Sequence, residues 1–293
     1  MKLKILIFLL IACFSINTMA QINGERFGSD YIFVGKGDAE QGADISFEKY
    51  EFRATFPKKL KKPGARIFHS IGYSKTNIDY GIRSDISSDL ENFHSISYTF
   101  GFSKPIKRGW FLTAFIRPNV ASNFQSSIDF DEVRLFGMAL FSKPINQKKN
   151  LVLSLGALYS TTLGSPTPIP IASLMYKPNL KWTINFGFPR FDIKYKASPS
   201  TTIGTNLFIA GDNFTLTDNI IVNDKDTGID NVRLMNIGGG LVLDQKITKK
   251  IVANLSSGYT FYRVFEFQDG TDSVEDFDLD NNFYIKAGIS IKM

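Results

Sequence analysis

The run His94-Ser95-Ile96-Ser97-Tyr98-Thr99-Phe100-Gly101-Phe102 decides the fold, because every second residue is apolar and every intervening one is small or polar. Successive side chains of a β-strand point to opposite faces. Ile96, Tyr98, Phe100 and Phe102 therefore share one greasy face, and Ser95, Ser97, Thr99 and Gly101 share the other. The pattern returns between Trp182 and Phe188, where Trp182, Ile184, Phe186 and Phe188 oppose Thr183, Asn185 and Gly187. It returns again at the C-terminus, with Phe283, Ile285, Ala287, Ile289 and Ile291 set against Tyr284, Lys286, Gly288, Ser290 and Lys292.

Working outward, similar but noisier alternation marks Ala43 to Phe56, Ala65 to Ser74, Trp110 to Arg117, Val133 to Ser142, Leu151 to Ser160 and Ile169 to Tyr176. Further strands are expected at Phe191 to Lys196, Thr201 to Ala210, Asn231 to Leu243 and Ile251 to Phe267, with a weaker one at Tyr31 to Gly35. No segment after residue 20 carries a helical apolar stripe with caps, so the chain reads as all-β.

The connections are of two kinds. One kind is short and mostly basic: Lys58 to Gly64, Lys104-Pro105-Ile106-Lys107-Arg108-Gly109, Lys143-Pro144 through Asn150, Lys177-Pro178-Asn179-Leu180-Lys181, the uncharged Ser198-Pro199-Ser200, and Gln245 to Lys250. The other is longer and polar or acidic: Lys75 to Asn92, Pro118 to Glu132, Gly211 to Asp230 and Gln268 to Asn282. The two kinds alternate along the chain, as they must when successive hairpins open on opposite sides of a membrane. Bacterial barrels keep short turns in the periplasm and longer loops outside, which assigns the Lys-Pro turns to the periplasm. The expected architecture is an antiparallel transmembrane β-barrel of about fourteen strands, with about twelve as the alternative count.

Composition agrees. The 293 residues are 43% hydrophobic and include 27 Phe, 11 Tyr and 23 Gly, yet mean hydropathy is only -0.05. A barrel that greases one face of each strand has this balance, whereas a helical membrane protein needs spans of ~20 apolar residues. The net charge of +6 comes from lysines spread over many turns. Scattered in this way they make no stripe for nucleic acid, so no nucleic-acid partner is expected.

At the N-terminus, Lys2 and Lys4 precede an apolar run from Ile5 to Phe14, and Thr18-Met19-Ala20 supplies small residues before Gln21. This is the form of a secretory signal peptide over residues 1–20, leaving 21–293 as a single barrel domain. Leu10-Ile11-Ala12-Cys13 also fits a bacterial lipoprotein box, in which Cys13 would be lipidated. With ordinary cleavage the mature chain has no cysteine, and a disulfide scaffold is excluded.

The stretch from Pro168-Ile169-Pro170 through Tyr176-Lys177-Pro178-Asn179, followed by Lys181-Trp182-Thr183-Ile184-Asn185-Phe186-Gly187-Phe188-Pro189, resembles the uncharacterised outer-membrane β-barrels of Bacteroidota. The resemblance extends as pattern over nearly all of the chain after residue 20. It implies the fold and an outer-membrane location, and brings no ligand or catalytic residue.

Candidate chemistry is sparse. Only His69 and His94 are available for zinc, which is too few. An outer-membrane lipid hydrolase built around His94 would need a serine and an acid placed beside it. Asn223-Asp224-Lys225-Asp226-Thr227-Gly228-Ile229-Asp230 alternates oxygen ligands like a calcium loop, with Asp224, Asp226 and Asp230 as the candidate carboxylates, but lacks the distal Glu of an EF-hand. A solvated acidic loop is the simpler reading, for it and for Asp272, Glu275, Asp276, Asp278 and Asp280. Gly238-Gly239-Gly240 opens no helix and serves a bend or relief of crowding, not a phosphate cradle.

Charges inside strands say more. Lys49, Glu51 and Arg53 share one face opposite Tyr50, Phe52, Ala54 and Phe56, and Asp192, Lys194 and Lys196 lie opposite Phe191, Ile193 and Tyr195. An ion facing lipid at mid-membrane costs ~2–4 kcal/mol, so these six are expected to face the lumen, lining an aqueous path or plugging it as pairs.

The functional expectation is an outer-membrane channel or small-solute transporter. The alternatives are a closed barrel acting as anchor or recognition surface, and third the lipid hydrolase. No cofactor is expected. Outer-membrane lipids, lipopolysaccharide, periplasmic chaperones and the barrel-assembly machinery are the expected partners. Mass spectrometry of the mature protein should find a start near Gln21, and a diacylglyceryl group on Cys13 would overturn that cleavage site.

Overall fold

The computed structural model describes residues 25–38, 44–81, 86–126, 130–188, 191–221 and 228–292, so the leader read in residues 1–20, with Cys13, lies outside the described residues. Alternation makes strands in chain order: β1 (Glu25–Asp38), β2 (Asp44–Lys59), β3 (Arg66–Asp79), β4 (Asn92–Pro105), β5 (Phe111–Ser122), β6 (Arg134–Pro144) and β7 (Leu151–Ser160). They continue as β8 (Thr167–Tyr176), β9 (Trp182–Phe188), β10 (Phe191–Lys196), β11 (Thr201–Ile221), β12 (Gly228–Lys246), β13 (Ile251–Asp269), β14 (Asp272–Asp276) and β15 (Phe283–Lys292).

Neighbours in sequence are neighbours in space, and β1 also pairs with β15, β15 with β13, and β13 with β12. The sheet closes into a ring of fourteen antiparallel strands, as the turn pattern implied; β14 is a short addition to the β13 edge. No helix among the described residues is long and apolar enough to cross a membrane. The six short turns read from the sequence all lie at the end where Glu25 pairs with Lys292, the turn end; the long connections lie at the other, the loop end, together with the brief links from β1 to β2, β7 to β8 and β9 to β10. Tight backbone bonds close the turns, such as Ile106 N–H to Trp110 O at 2.8 Å and Ile247 N–H to Ile251 O at 2.9 Å.

The outer surface is apolar and exposed in the isolated chain. Phe186 is 61% exposed, Leu241 74% and Ile289 56%. In water a continuous apolar band of this kind would drive aggregation; against hydrocarbon it is the ordinary outer face of a barrel.

Several strands run longer than alternation alone suggested. The expected loop Gly211 to Asp230 is mostly strand, since β11 continues to Ile221 and β12 begins at Gly228. Gly211, Asp212 and Asn213 are poor strand formers, and tertiary contacts hold them there. A Cβ on Gly211 would stand 2.5 Å from the backbone of Thr161, Thr162 and Gly164, Asp212 bonds Lys49, and Asn213 accepts from Arg134.

The barrel also narrows toward its loop end. β9 and β10 end early, while β11 runs on from Asn206, opposite Asp192, to Ile221. Above that hairpin β5 meets β11 directly, Ser122 beside Thr215. Arg134 bolts the junction, donating to Asn213 O at 3.1 Å and to Thr215 Oγ1 and Asn231 Oδ1 at 2.7 Å each. The gap left over β9 and β10 is covered by the β7–β8 connection, whose Leu163 packs against the cluster of Ile209, Met235, Ile237 and Val264.

Burial costs fix which face is which. Leu155→Arg and Phe186→Arg should each reduce the yield of heat-modifiable folded barrel, with a penalty of ~2–4 kcal/mol at mid-membrane. Thr99 and Asn185 are the adjacent inward positions for Phe100 and Phe186, but each is buried and bonded, to Arg117 and Asp192. Ser154, only half-buried and bonded to another hydroxyl, Ser142 Oγ at 2.8 Å, is the fairer inward control, and Ser154→Arg should assemble near the wild-type level. Equal tolerance of all three changes would rule out a lipid-facing band.

Candidate functional site

The interior has two storeys, and one feature of β13 makes the division. Phe261 and Tyr262 are consecutive, yet both point outward, 55% and 52% exposed. The register shifts here, with Gly238 opposite Thr260 and Ile237 opposite Tyr262, so Phe261 is the extra residue of a β-bulge. Past the bulge, parity is reversed and Arg263, Phe265 and Phe267 turn inward. The glycines beside it permit the fit: a Cβ on Gly240 would lie 2.1 Å from Ser257 O, and one on Gly258 2.0 Å from Gly239 O.

Phe265 and Phe267 centre an apolar plug at the loop end. Phe265 meets the rings of Phe277, Phe267, Phe47 and Tyr80 at centroid distances of 4.9, 5.4, 5.5 and 5.9 Å. Ile45, Leu90, Phe93, Phe214, Ile229 and Val232 complete a cluster drawn from β1 to β5, β11 to β13, β15 and their connections, with no described member from β6 to β10. It fills the narrowed storey. Two elements of the plug are not strand. Tyr80 donates to Leu90 O at 2.8 Å, tying the β3–β4 connection inward, and Phe277 and Leu279 drop in from the segment after β14.

That last segment corrects the reading of a merely solvated acidic loop. Asp276, Asp278 and Asp280 are exposed, but they alternate with the buried Phe277 and Leu279. Burial and the nearby Glu266 and Asp278 raise the Asp276 carboxyl above its ordinary value. Arg263 holds the segment down, donating to Asp280 O at 2.8 Å and Gly35 O at 3.2 Å, its guanidinium 5.3 Å from the Phe47 ring.

Below the plug the inward face becomes polar and charged. Lys49 donates to both oxygens of Asp212 at 2.8 Å, from β2 to β11 across the interior, and lies 3.3 Å from Glu51. Arg53 reaches Asp30 at 2.6 Å, Glu51 at 3.3 Å and Glu25 at 3.5 Å, while Lys286 lies 3.5 Å from Asp30. Gly288 makes room, since a Cβ there would stand 2.1 Å from Asp30 Oδ1. On the opposite wall Lys194 meets Asp244 at 2.7 Å and Asn185 donates to Asp192 at 2.8 Å. Lys196 is exposed at the turn end of β10 and stands apart from these groups.

The Lys49 and Asp212 side chains retain 19% and 23% exposure, so water reaches the pairs. The wall formed by β5 to β8 carries an apolar inward cluster of Phe115, Met138, Leu140, Leu158, Ile169 and Ile171, packed together with Phe68 of β3. Alternation alone had left two uses for the charges, an aqueous path or a plug of pairs. The structure gives all of them but Lys196 a polar partner, beneath a separate plug made of aromatic and aliphatic side chains.

Other candidates assemble no chemistry. His69 and His94 lie on the outer face, where each bonds a tyrosine: His69 Nδ1 to Tyr98 at 2.5 Å and His94 Nδ1 to Tyr73 at 2.8 Å. Among the described residues no serine and carboxylate join His94. Asp224 and Asp226 lie outside the described residues; Asp230 accepts from Asn231 Nδ2 at 2.7 Å and from Gly270 N–H at 2.9 Å, which ties β12 to the β13–β14 turn. No three metal-ligating side chains gather among the described residues.

With this geometry in hand, the sequence profile described as "Domain of unknown function (DUF6268)" matches residues 16–292. The chain belongs to the DUF6268 family. No curated protein matches it. Among solved structures it is similar to the TodX monoaromatic hydrocarbon channel deltaS2 mutant, with a TM-score of 0.52 at 12% identity over 92% of this chain and 91% of that one. The TodX deltaS2S3 mutant gives a TM-score of 0.50 at 12% identity, over 92% and 90%. At such identity the likeness fixes the architecture of this DUF6268 chain as that of an outer-membrane barrel and carries no ligand with it.

The pairing of Lys49 with Asp212 is testable by a double-mutant cycle. Lys49→Met should destabilise the folded barrel by about 1–3 kcal/mol, between the values for exposed and buried charge-assisted bonds. Asp212→Asn should cost less in the Lys49→Met background than alone. Additive losses in denaturant unfolding would show that the two do not interact.

Proposed function

We propose that this protein is a small-solute channel of the bacterial outer membrane, closed in the present conformation at its loop end. The single observation that carries the reading is the stacking of a wet, charged storey beneath a dry one inside a closed barrel. A barrel needed only as an anchor has no use for water-accessible ion pairs on one side of its lumen. The alternation of turn lengths supports an orientation with the wet storey toward the periplasm and the plug toward the exterior. The exported location rests on the leader read in residues 1–20 and on the fold itself.

The gate follows from the plug's composition. An apolar constriction blocks ions and polar solutes by excluding water, and it opens when its walls part or become polar. Moving a strand would break a row of ladder bonds, whereas moving the segment that carries Phe277 and Leu279 breaks one backbone bond, Phe277 N–H to Phe265 O at 2.9 Å, besides its contacts with Arg263 and the plug. Opening is therefore assigned to that segment.

Planar-bilayer recording tests this. The wild type should open rarely, and the double variant Phe277→Ser with Leu279→Ser should conduct for a larger fraction of time, since it makes the plug polar without touching a barrel strand. Heat-modifiable migration on a gel confirms that the variant is folded. A folded variant as silent as the wild type would replace the channel by a closed barrel serving as anchor or recognition surface.

A further inference from the structure

Among the inward cations of the described residues, Arg117 is one that the ion pairs leave out. Lys49, Arg53, Lys194 and Lys286 each have a carboxylate oxygen within 3.5 Å. Arg117, inward on β5, has none among the described residues. Its Nε donates to Thr99 Oγ1 at 2.8 Å and its guanidinium stands 5.2 Å from the ring of Phe115. Glu51 and Arg53 are the charged groups near enough to influence it; Arg53 repels it, and Glu51 makes no ion pair with it. Glu51 is already engaged by Lys49 and Arg53.

Guanidinium stays charged at any ordinary pH and is costly to hold in a protein interior without an anion. Four of the five N–H donors of Arg117, those on Nη1 and Nη2, have no acceptor among the described residues. Neither nitrogen is among the sealed, unpartnered polar atoms, so both face accessible space. The wall around them is small and polar. Ser97 on β4 and Asn119 on β5 are inward neighbours, and Ser97 Oγ lies over Gly72, 2.7 Å from where a Cβ would stand. Above this niche Ser95 donates to Asn119 at 2.9 Å, and the plug begins at Phe93 and Ala121.

We propose that Arg117 anchors a binding site for a small oxyanion, a carboxylate or phosphate group, on the wet side of the plug. The inference rests on the channel reading and names its solute class. Nη1 and Nη2 present the parallel N–H pair that a carboxylate or phosphate takes in bidentate fashion. Thr99 fixes the plane of the fork by holding Nε, and Phe115 supports one face of it. Ser97 and Asn119 offer neutral groups for the remainder of the solute. The pairing of Glu51 removes most of the repulsion an entering anion would meet.

The test is titration calorimetry on the full-length protein, folded in detergent, with inorganic phosphate, succinate and glucose as separate probes. At least one oxyanion should bind and glucose should not. Arg117→Gln should weaken that binding about tenfold or more, the worth of a charge-assisted contact. Arg117→Lys should fall between, since it keeps the charge and loses the fork. Heat-modifiable migration checks that each variant is folded. Equal affinity in Arg117→Gln and wild type, or no heat from either oxyanion with folded wild type, overturns the site. Conductance by the loosened-plug variant without oxyanion binding removes this inference and leaves the channel. Oxyanion binding in a barrel that never conducts does the reverse.

Discussion

A backbone crossing hydrocarbon finds no water for its N–H and C=O groups, and each one left unpaired costs several kcal/mol. A sheet meets that demand only by having no edge. Here the edges vanish where β12 meets β13 and β1 meets β15, giving the ring of paired strands on which everything inside depends. Closure also forces the period of two. With one face of every strand given to lipid, only alternate residues are free to serve the interior, and function must be written in those.

The bulge at Phe261 is where this rule is used rather than merely obeyed. Without it, parity on β13 would run unbroken past Thr260, sending Arg263, Phe265 and Phe267 to the outer face and Val264 and Glu266 inward. The outer face would then carry a guanidinium and the plug would lose its central ring pair. One inserted residue thus converts a wet lumen into a sealed one. The narrowing beside β5 and β11 completes the change, because the shorter circuit leaves a cross-section that aromatic side chains can fill.

What was legible in the sequence is what the lipid imposes. The repeated face of Ile96, Tyr98, Phe100 and Phe102, with the alternation of short and long connections, was enough for the barrel and its strand number. The plug was not legible, because Phe265 and Phe267 look the same facing lipid or facing each other, and only the register shift tells them apart. Asp212 was hidden for another reason. It lies between Gly211 and Asn213, a sequence that reads as loop, and is held as strand by the β12 ladder together with contacts to Lys49, Arg134 and the β7–β8 connection. In the sequence Arg117 is only the last residue of an expected strand, since its distinction is the absence of a carboxylate partner among the described residues, which no local pattern records.

The boundary between the two storeys is drawn at one level on adjacent strands. On β2 the inward face passes from Phe47 to Lys49, on β15 from Tyr284 to Lys286, and on β11 from Phe214 to Asp212. Val34 of β1 pairs with both Phe47 and Tyr284, and Ile32 with both Lys49 and Lys286, so these changes coincide across the sheet. A ladder in register cannot move that boundary by one residue without turning every charge toward lipid. The strands therefore hold the wet and dry storeys in place whatever the protein is doing. Any passage between them has to come from the parts of the plug outside the closed ring, the connection carrying Leu90 and the segment carrying Phe277 and Leu279, which single backbone bonds rather than full ladders hold.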